Sequence, residues 1–261
     1  MLLVSNCGVG WPRGIVRWRE LGLGALITLV LWQLLAWAID RPIFPPPYEA
    51  LTAFAHGILG DLGRHTLVSG WRVTAAMLLA VVTAVPLGIG LGQIAVLNRF
   101  FAPLIYIVHP IPKIVFLPVI LVLLGSGDLS KILLIALILF FQILVVVRDA
   151  AADLRPELIL SVRSVGAGRR ALYRYVYFPA AIPATLTALR VSVGTAVAVL
   201  FIAESFATTS GLGYYIIIEA WGALRYPEMF AGVLAMSSLG LAMYFIVDTL
   251  DRSLCPWREA R

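Results

Sequence analysis

Six stretches of this sequence are apolar enough and long enough to lie within a lipid bilayer, and they leave few alternatives for the fold. Residues 21–39 contain no charged side chain, and about 20 apolar residues suffice for a helix to cross the hydrocarbon. With 61% hydrophobic and 13% charged residues, the chain lacks the polar surface of a soluble domain. The sequence therefore predicts an all-α membrane protein with six transmembrane helices, at residues 21–39, 73–97, 100–124, 132–147, 185–206 and 229–247.

The distribution of basic residues indicates which side of the membrane each loop occupies. Fourteen lysines and arginines fall on segments that this topology places inside, against five on outer segments, and cytoplasmic loops are normally the richer in basic residues. We therefore predict that both termini are cytoplasmic and that Cys7 and Cys255 are thiols without a disulfide. The net charge of +6 does not indicate nucleic-acid binding, because the arginines lie in loops beside apolar runs.

Two further segments have a predicted shape but an open role. Residues 50–64 carry apolar side chains at helical spacing, which predicts an outer amphipathic helix, either packed on the bundle or used for binding. The third span, residues 100–124, contains four prolines and should be kinked or interrupted, either for structural reasons alone or to line a pathway.

In the second span, Gly88, Gly90 and Gly92 are small enough to let helices approach closely.

The longest polar interruption of the apolar sequence, residues 149–183, predicts a cytoplasmic helical hairpin. Pro156 fits the first position of a helix, and Glu157 follows in the first turn. At the other end of this helix, Gly166 fits a left-handed C-cap. A second helical run at residues 169–178 is expected to end at Pro179. The first helix should present one apolar face, formed by Leu158, Val162 and Val165.

The spacing within this loop resembles the EAA coupling loop of ABC importer permeases, which reads Glu-Ala-Ala, three residues, Gly, nine residues and Ile-x-Leu-Pro. Gly166 and Pro179 have the required separation, Val176 and Phe178 occupy the Ile and Leu positions, and residues 160–162 (Leu-Ser-Val) replace Glu-Ala-Ala. The stretches LPVILVLLGSGDLSKI (117–132) and TSGLGYYI (209–216) look like permeases of the nitrate, sulfonate, taurine and bicarbonate importer branch.

The resemblance implies a type I ABC importer permease fold, in three parts: residues 1–61 as lead, first span and outer segment, residues 62–248 as the transmembrane core, and residues 249–261 as a cytoplasmic tail. It implies a multi-pass protein of the bacterial inner membrane that imports a small solute by alternating access, an anion such as nitrate, a sulfonate or bicarbonate. The implied partners are a second copy, a cytoplasmic ATPase dimer that holds ATP and Mg, and an extracytoplasmic binding protein. The implied ATPase-coupling residues are Pro156, Glu157, Leu158, Leu160, Ser161, Val162, Arg163, Val165, Gly166 and Pro179.

The motifs of an enzyme are not found in the sequence. A nucleotide-binding loop of the form GxxxxGK[ST] needs a Gly–Lys pair, and the two lysines follow proline and serine instead. The three histidines are too scattered for a metal set, and neither GxSxG nor HExxH occurs. We therefore expect no catalytic site, metal or cofactor in this chain. The alternatives to an ABC permease are a stand-alone secondary transporter or channel and, less favoured, an intramembrane enzyme.

Ionisable groups inside the predicted spans are costly, so Lys113, His109 and Glu204 are candidates for the translocation pathway. For Lys113 two main hypotheses remain open at this point. It pairs with Glu204 and holds two helices together, or it faces the pathway and attracts a small anion; snorkelling to the interface is a third possibility. For His109, a hydrogen-bonded structural side chain is preferred to a substrate ligand.

Overall fold

In the computed structural model, residues 18–206 and 208–256 are described, except for the side chains of residues 18, 19 and 21; Cys7 and the last five residues lie outside this range. The described residues form helices joined by short loops, with no strand among them. In chain order the helices are α1 (Trp18–Ile39), α2 (Pro47–Gly57), α3 (Asp61–Gln93), α4 (Ala95–Val108), α5 (Leu117–Leu124), α6 (Asp128–Ala152), α7 (Pro156–Ser164), α8 (Arg169–Leu172), α9 (Phe178–Ser205), α10 (Leu212–Tyr214) and α11 (Tyr226–Leu254).

Five helical runs are long and apolar enough to cross a membrane: α1, α3, α6, the run Arg169–Ser205 and α11. The sixth is the pair formed by α4 and the segment Lys113–Leu124, which are bent by 80° at the break between them. The predicted interruption of the third span is thus confirmed. Pro110 and Pro112 stand in the break, where each lacks the N–H that a continuous helix would need.

The spans define two ends of the bundle. Because α6 leads from Asp128 into the loop that carries α7, Asp128 and the N-termini of α3 and α11 lie at the end opposite that loop, here called the distal end. The other end, which carries α7 and α8, is called the hairpin end. Which end faces the cytoplasm remains a prediction from the basic residues.

The centre of the bundle is the contact between α3 and α6, and two of the expected glycines make it possible. A Cβ atom added at Gly92 would lie 2.5 Å from the backbone oxygen of Arg148, and one at Gly88 would lie 2.9 Å from Val147 Cγ1. At Gly90, no described atom lies within 4 Å of such a Cβ. The prediction of close helix approach is therefore confirmed for Gly88 and Gly92 and wrong for Gly90.

Two predicted helix ends are wrong. The second hairpin helix does not stop at Pro179, because the turn Tyr173–Tyr177 widens to a π-helix and the Phe178 N–H bonds back to the Tyr173 carbonyl. The widened turn accommodates the proline, which lacks an N–H, so that the helix continues into α9. At the distal end, α2 stops at Gly57 rather than running to residue 64. Leu62 therefore belongs to α3, where it is fully buried.

Candidate functional site

Three polar side chains line one face of α3 at the distal end, inside an otherwise apolar bundle. His65, Ser69 and Arg72 are spaced four and three residues apart, so they project from the same side of the helix. Their exposed fractions are 5%, 0% and 2%. Buried polar and charged groups require partners, so this face must meet a complementary set of groups.

The Arg72 guanidinium joins two carboxylates from different helices. Its Nη1 donates to Glu204 Oε1 of α9 at 2.8 Å, while Nε and Nη2 donate to Asp128 Oδ1 of α6 at 2.9 and 2.6 Å. Glu204 is completely buried, whereas half of the Asp128 side chain is exposed. Arg72 therefore ties the distal ends of α3, α6 and α9 together through charge-assisted hydrogen bonds.

The same cluster holds the loop of residues 209–213, here called the TSGLG loop, through the main chain of its last four residues. The N–H of Gly211 donates to His65 Nδ1 at 2.9 Å, and that of Leu212 donates to Ser69 Oγ at 2.8 Å. The N–H of Gly213 donates to Glu204 Oε2 at 3.1 Å. In addition, Arg72 Nη1 donates to the Ser210 carbonyl at 2.8 Å. Four successive residues are thus fixed by side chains of α3 and α9.

The charges of the cluster balance. Lys131 of α6 is also fully buried, and its Nζ donates to the carbonyl of Ser126. Together with Arg72 it supplies two positive charges, which match the two carboxylates of Glu204 and Asp128. Because a charge in hydrocarbon is stable only when it is paired, this balanced set of side chains anchors the distal end of the bundle.

An open cleft of about 690 Å³ lies beside the cluster at the distal end. It runs between α2, the start of α3, the segment Tyr215–Trp221 and the start of α11. The carboxylates of Glu49, Asp61, Glu219 and Glu228 line it. Glu219 Oε2 lies 3.4 Å from His65 Nε2, which connects the cleft to the buried cluster. Burial, and next the nearby Glu228, raise the pKa of Tyr215, so this phenol stays neutral.

Lys113 is bound by backbone carbonyls at the break between α4 and α5. Its Nζ donates to the carbonyls of Val108, His109 and Ile111 at 3.0, 2.9 and 3.1 Å, and it lies 4.7 Å from the centre of the Phe141 ring. These carbonyls close the C-terminus of α4, where a cation is favoured by the helix dipole. The predicted pair with Glu204 is wrong, because that carboxylate is bound by Arg72 and the lysine satisfies its three donors locally.

His109 also differs from its prediction. Its side chain is exposed at the break, and no hydrogen bond of its ring is found within the described part of the chain. The residue contributes its carbonyl to Lys113 instead. Of the three intramembrane candidates, only Glu204 thus belongs to the buried cluster, and the structure does not bring the three together.

At the hairpin end, the predicted short helix is present as α7, with Pro156 in its first turn and Glu157 beside it. None of the α7 side chains, all of which are described, is buried. Leu158 and Leu160 are 51% and 61% exposed, and Val165 just beyond the helix is 83% exposed. Val162 is half-buried, so the expected apolar face is only partly free. Gly166 has φ +82°, as its predicted left-handed role requires.

Sequence reasoning overlooked the residues that build the distal cluster. The second predicted span begins after Arg72, at residue 73, and residues 207–228 lie between the fifth and sixth predicted spans, so the sequence predicted neither as part of a buried cluster. The available signal was the spacing of His65, Ser69 and Arg72, which places three polar groups on one face of an apolar helix.

Comparisons with known proteins agree with this architecture. Residues 68–256 match the family described as "Binding-protein-dependent transport system inner membrane component". The chain is 28% identical to the taurine transport system permease protein TauC of Escherichia coli, over 95% of this chain and 92% of the relative. It is 32% identical to the riboflavin transport system permease protein RibX of Chloroflexus aurantiacus, over 94% and 92%. An inward-facing structure of the MetNI methionine ABC transporter has a TM-score of 0.62 at 21% identity, covering 74% of this chain and 95% of that one.

Proposed function

Because this chain belongs to the family of inner membrane components of binding-protein-dependent transport systems, we propose that it works as the permease of an ATP-driven importer with three kinds of partner. The family itself confirms the predicted ABC importer permease and its multi-pass location in the inner membrane. It excludes the stand-alone carrier and the intramembrane enzyme. The partners in the proposal are a second copy of the chain, a cytoplasmic ATPase dimer that holds ATP and Mg, and an extracytoplasmic binding protein.

The observation that carries the proposal is the exposed hairpin α7–α8. It projects from the bundle with Leu158, Leu160 and Val165 open to solvent, and a membrane protein gains nothing from apolar side chains on an aqueous loop unless a partner covers them. The segment from Pro156 to Gly166, with Pro179 beyond it, is the part that we propose to dock in a groove of the ATPase.

For the substrate we propose a small molecule that carries a sulfonate group. Support comes from the taurine permease among the relatives and from the resemblance of residues 117–132 and 209–216 to that branch. Because another relative serves riboflavin, the substrate class needs a direct measurement. Calorimetric measurement of the binding of sulfonates, nitrate and bicarbonate to the partner binding protein would identify the substrate class. Tight binding only of ligands that lack a sulfonate group would reject this substrate class.

The docking proposal is tested by co-purification. Leu158→Asp places a charge in the middle of the contact, and loss of a central apolar anchor typically costs about 2 kcal/mol or more, a roughly 30-fold weakening. We expect this variant to lose the ATPase during affinity purification. Leu59→Asp is the matched control, because Leu59 is 96% exposed at the distal end. Recovery of the ATPase at the original yield with Leu158→Asp would contradict the proposal.

A further inference from the structure

The hairpin is strongly cationic, and its arginines form no ion pair within the described residues. Its five arginines are all exposed. The segment of residues 155–178 that contains them has a single carboxylate, Glu157. Among the described residues none of the five forms an ion pair, whereas Arg148 pairs with Asp149, and Arg190 pairs with Asp248 and Asp251. The five are Arg155, Arg163, Arg169, Arg170 and Arg174.

Counted along its helix, Arg174 lies beyond the layer of lipid headgroups. The helical run Arg169–Ser205 has 37 residues, so it is roughly 55 Å long, whereas the hydrocarbon is about 30 Å thick. A span of about 20 residues counted back from Ser205 ends near Thr185. Arg174 then lies roughly 16 Å further along the helix, beyond the headgroup layer. Arg174 is therefore within reach of a partner in the aqueous phase.

The glutamate of the coupling-loop pattern is replaced by an apolar residue in this chain. In the coupling-loop pattern a glutamate stands where this chain has Leu160, which is 61% exposed. The remaining carboxylate of α7, Glu157, lies in the first turn, where it favours the helix itself. The ionic character of the exposed surface is thus set by arginine. Arginine guanidinium groups prefer carboxylates, with which they form paired hydrogen bonds.

We propose that the groove that receives this hairpin is rimmed by carboxylates, so that arginines of the permease supply the ionic part of the contact in place of the permease glutamate. The identity of the groove as part of an ATPase rests on the proposed function. The apolar side chains of Leu158 and Val165 fill the centre of the contact, and the arginines surround it. Such a rim strengthens association and selects the partner by charge.

The test measures the affinity of the detergent-solubilised permease for its own ATPase at increasing salt. Screening shortens the reach of charges from about 10 Å at 0.1 M salt to about 3 Å at 1 M. We therefore expect the wild-type complex to weaken by about tenfold or more over this range. Arg163→Glu and Arg174→Glu should each weaken it further at 0.1 M salt, and Arg163→Gln should do so less. Arg64→Glu is the matched control, since Arg64 is exposed at the distal end.

The outcomes separate the two proposals. If the wild-type chain forms no complex with its ATPase, the proposed function fails. If the complex forms but responds neither to salt nor to Arg163→Glu and Arg174→Glu, the acidic rim is rejected while the function stands. Repeating the measurement in nanodiscs of neutral and of anionic phospholipid completes the test. An effect of the arginine variants that is confined to anionic nanodiscs would assign the arginines to lipid and overturn the proposal. Restoration of binding to Arg163→Glu by a carboxylate→Arg change in the ATPase groove would establish it.

Discussion

Gly211 lies directly against the carboxylate of Glu204. A Cβ atom added to Gly211 would lie 2.3 Å from Glu204 Cδ, and the glycine has φ +111° and ψ 163°, a conformation that is essentially restricted to glycine. The close approach lets the following main-chain N–H groups reach Ser69 and Glu204. This one position therefore determines whether the TSGLG loop can join the buried ionic cluster.

Gly211→Ala should destabilise the protein by about 2 kcal/mol or more, because backbone strain of about 1–3 kcal/mol adds to the clash with Glu204. The measurement is the thermal unfolding midpoint of the purified protein in detergent. Gly90→Ala is the matched control, since no described atom lies within 4 Å of its added Cβ and alanine favours a helix. Equal midpoints for the two variants would show that the loop is not held against Glu204.

Arg72→Met should be among the most destabilising single changes in the chain. It leaves Glu204 buried without its cation, and breaking a buried pair costs about 3–5 kcal/mol. Adding Glu204→Gln removes the unpaired charge and should recover part of the loss, again measured by thermal unfolding. Because Asp128 is half exposed, it should not prevent this recovery. A double variant no more stable than Arg72→Met would argue against the pair.

Lys113→Met should also destabilise the protein, but Glu204→Gln should not restore it. The lysine binds three carbonyls at the end of α4, and each buried group left without a partner costs about 1–3 kcal/mol. Lys113→Arg keeps a cation at the same place and should retain more stability. The unfolding midpoints of the single and double variants distinguish binding of Lys113 to these carbonyls from the predicted pair with Glu204. If the pair existed, the double variant would regain the stability that Lys113→Met loses.

Gly166→Val should separate ATP hydrolysis from transport. At φ +82° a β-branched residue is disfavoured by about 1 kcal/mol or more, while no described atom crowds the added Cβ, so the effect is conformational. Gly166→Asn tolerates a left-handed backbone and serves as the control. The ratio of uptake to ATP hydrolysis in proteoliposomes should fall for Val and stay near wild type for Asn. A normal ratio for both would place the coupling elsewhere.

The orientation of the bundle can be tested with single cysteines. Cys255 is only 1% exposed, so it is a poor target for labelling. In a Cys7→Ser background, an impermeant thiol reagent applied to intact cells should label Leu59→Cys, which is 96% exposed at the distal end. Ser161→Cys on α7 should react only after the membrane is opened. The reverse pattern would invert the predicted topology.

The parts of the fold that depend on local patterns could be predicted from the sequence. Long apolar runs gave the spans. Pro156 and Gly166 gave the two ends of α7 through their own backbone conformations, and Glu157 supported the first turn through the helix dipole. Helix ends that depend on packing were less accessible. The π-turn at Tyr173–Tyr177 allows the helix to pass Pro179, and nothing in the local pattern distinguishes this from an ordinary stop.

The buried cluster was not predictable in the same way because its partners are distant in sequence. Arg72 meets Glu204 across 132 residues and Asp128 across 56. An arginine near the end of a span looks like an interfacial residue until α3 is seen to begin at Asp61, which places Arg72 inside the bundle. Lys113 shows the converse, since its partners are carbonyls within five residues, which a search for a charged partner does not consider.

The continuous helical run Arg169–Ser205 joins the two ends of the molecule. One end carries the arginine-rich hairpin, and the other carries Glu204 and, through it, the TSGLG loop. A rigid rod of roughly 55 Å that tilts by about 10° displaces its far end by roughly 10 Å. Tilting of this run as a single rod would therefore carry a small rocking of the hairpin to the Glu204 end, and bending at the wide turn Tyr173–Tyr177 would reduce the displacement.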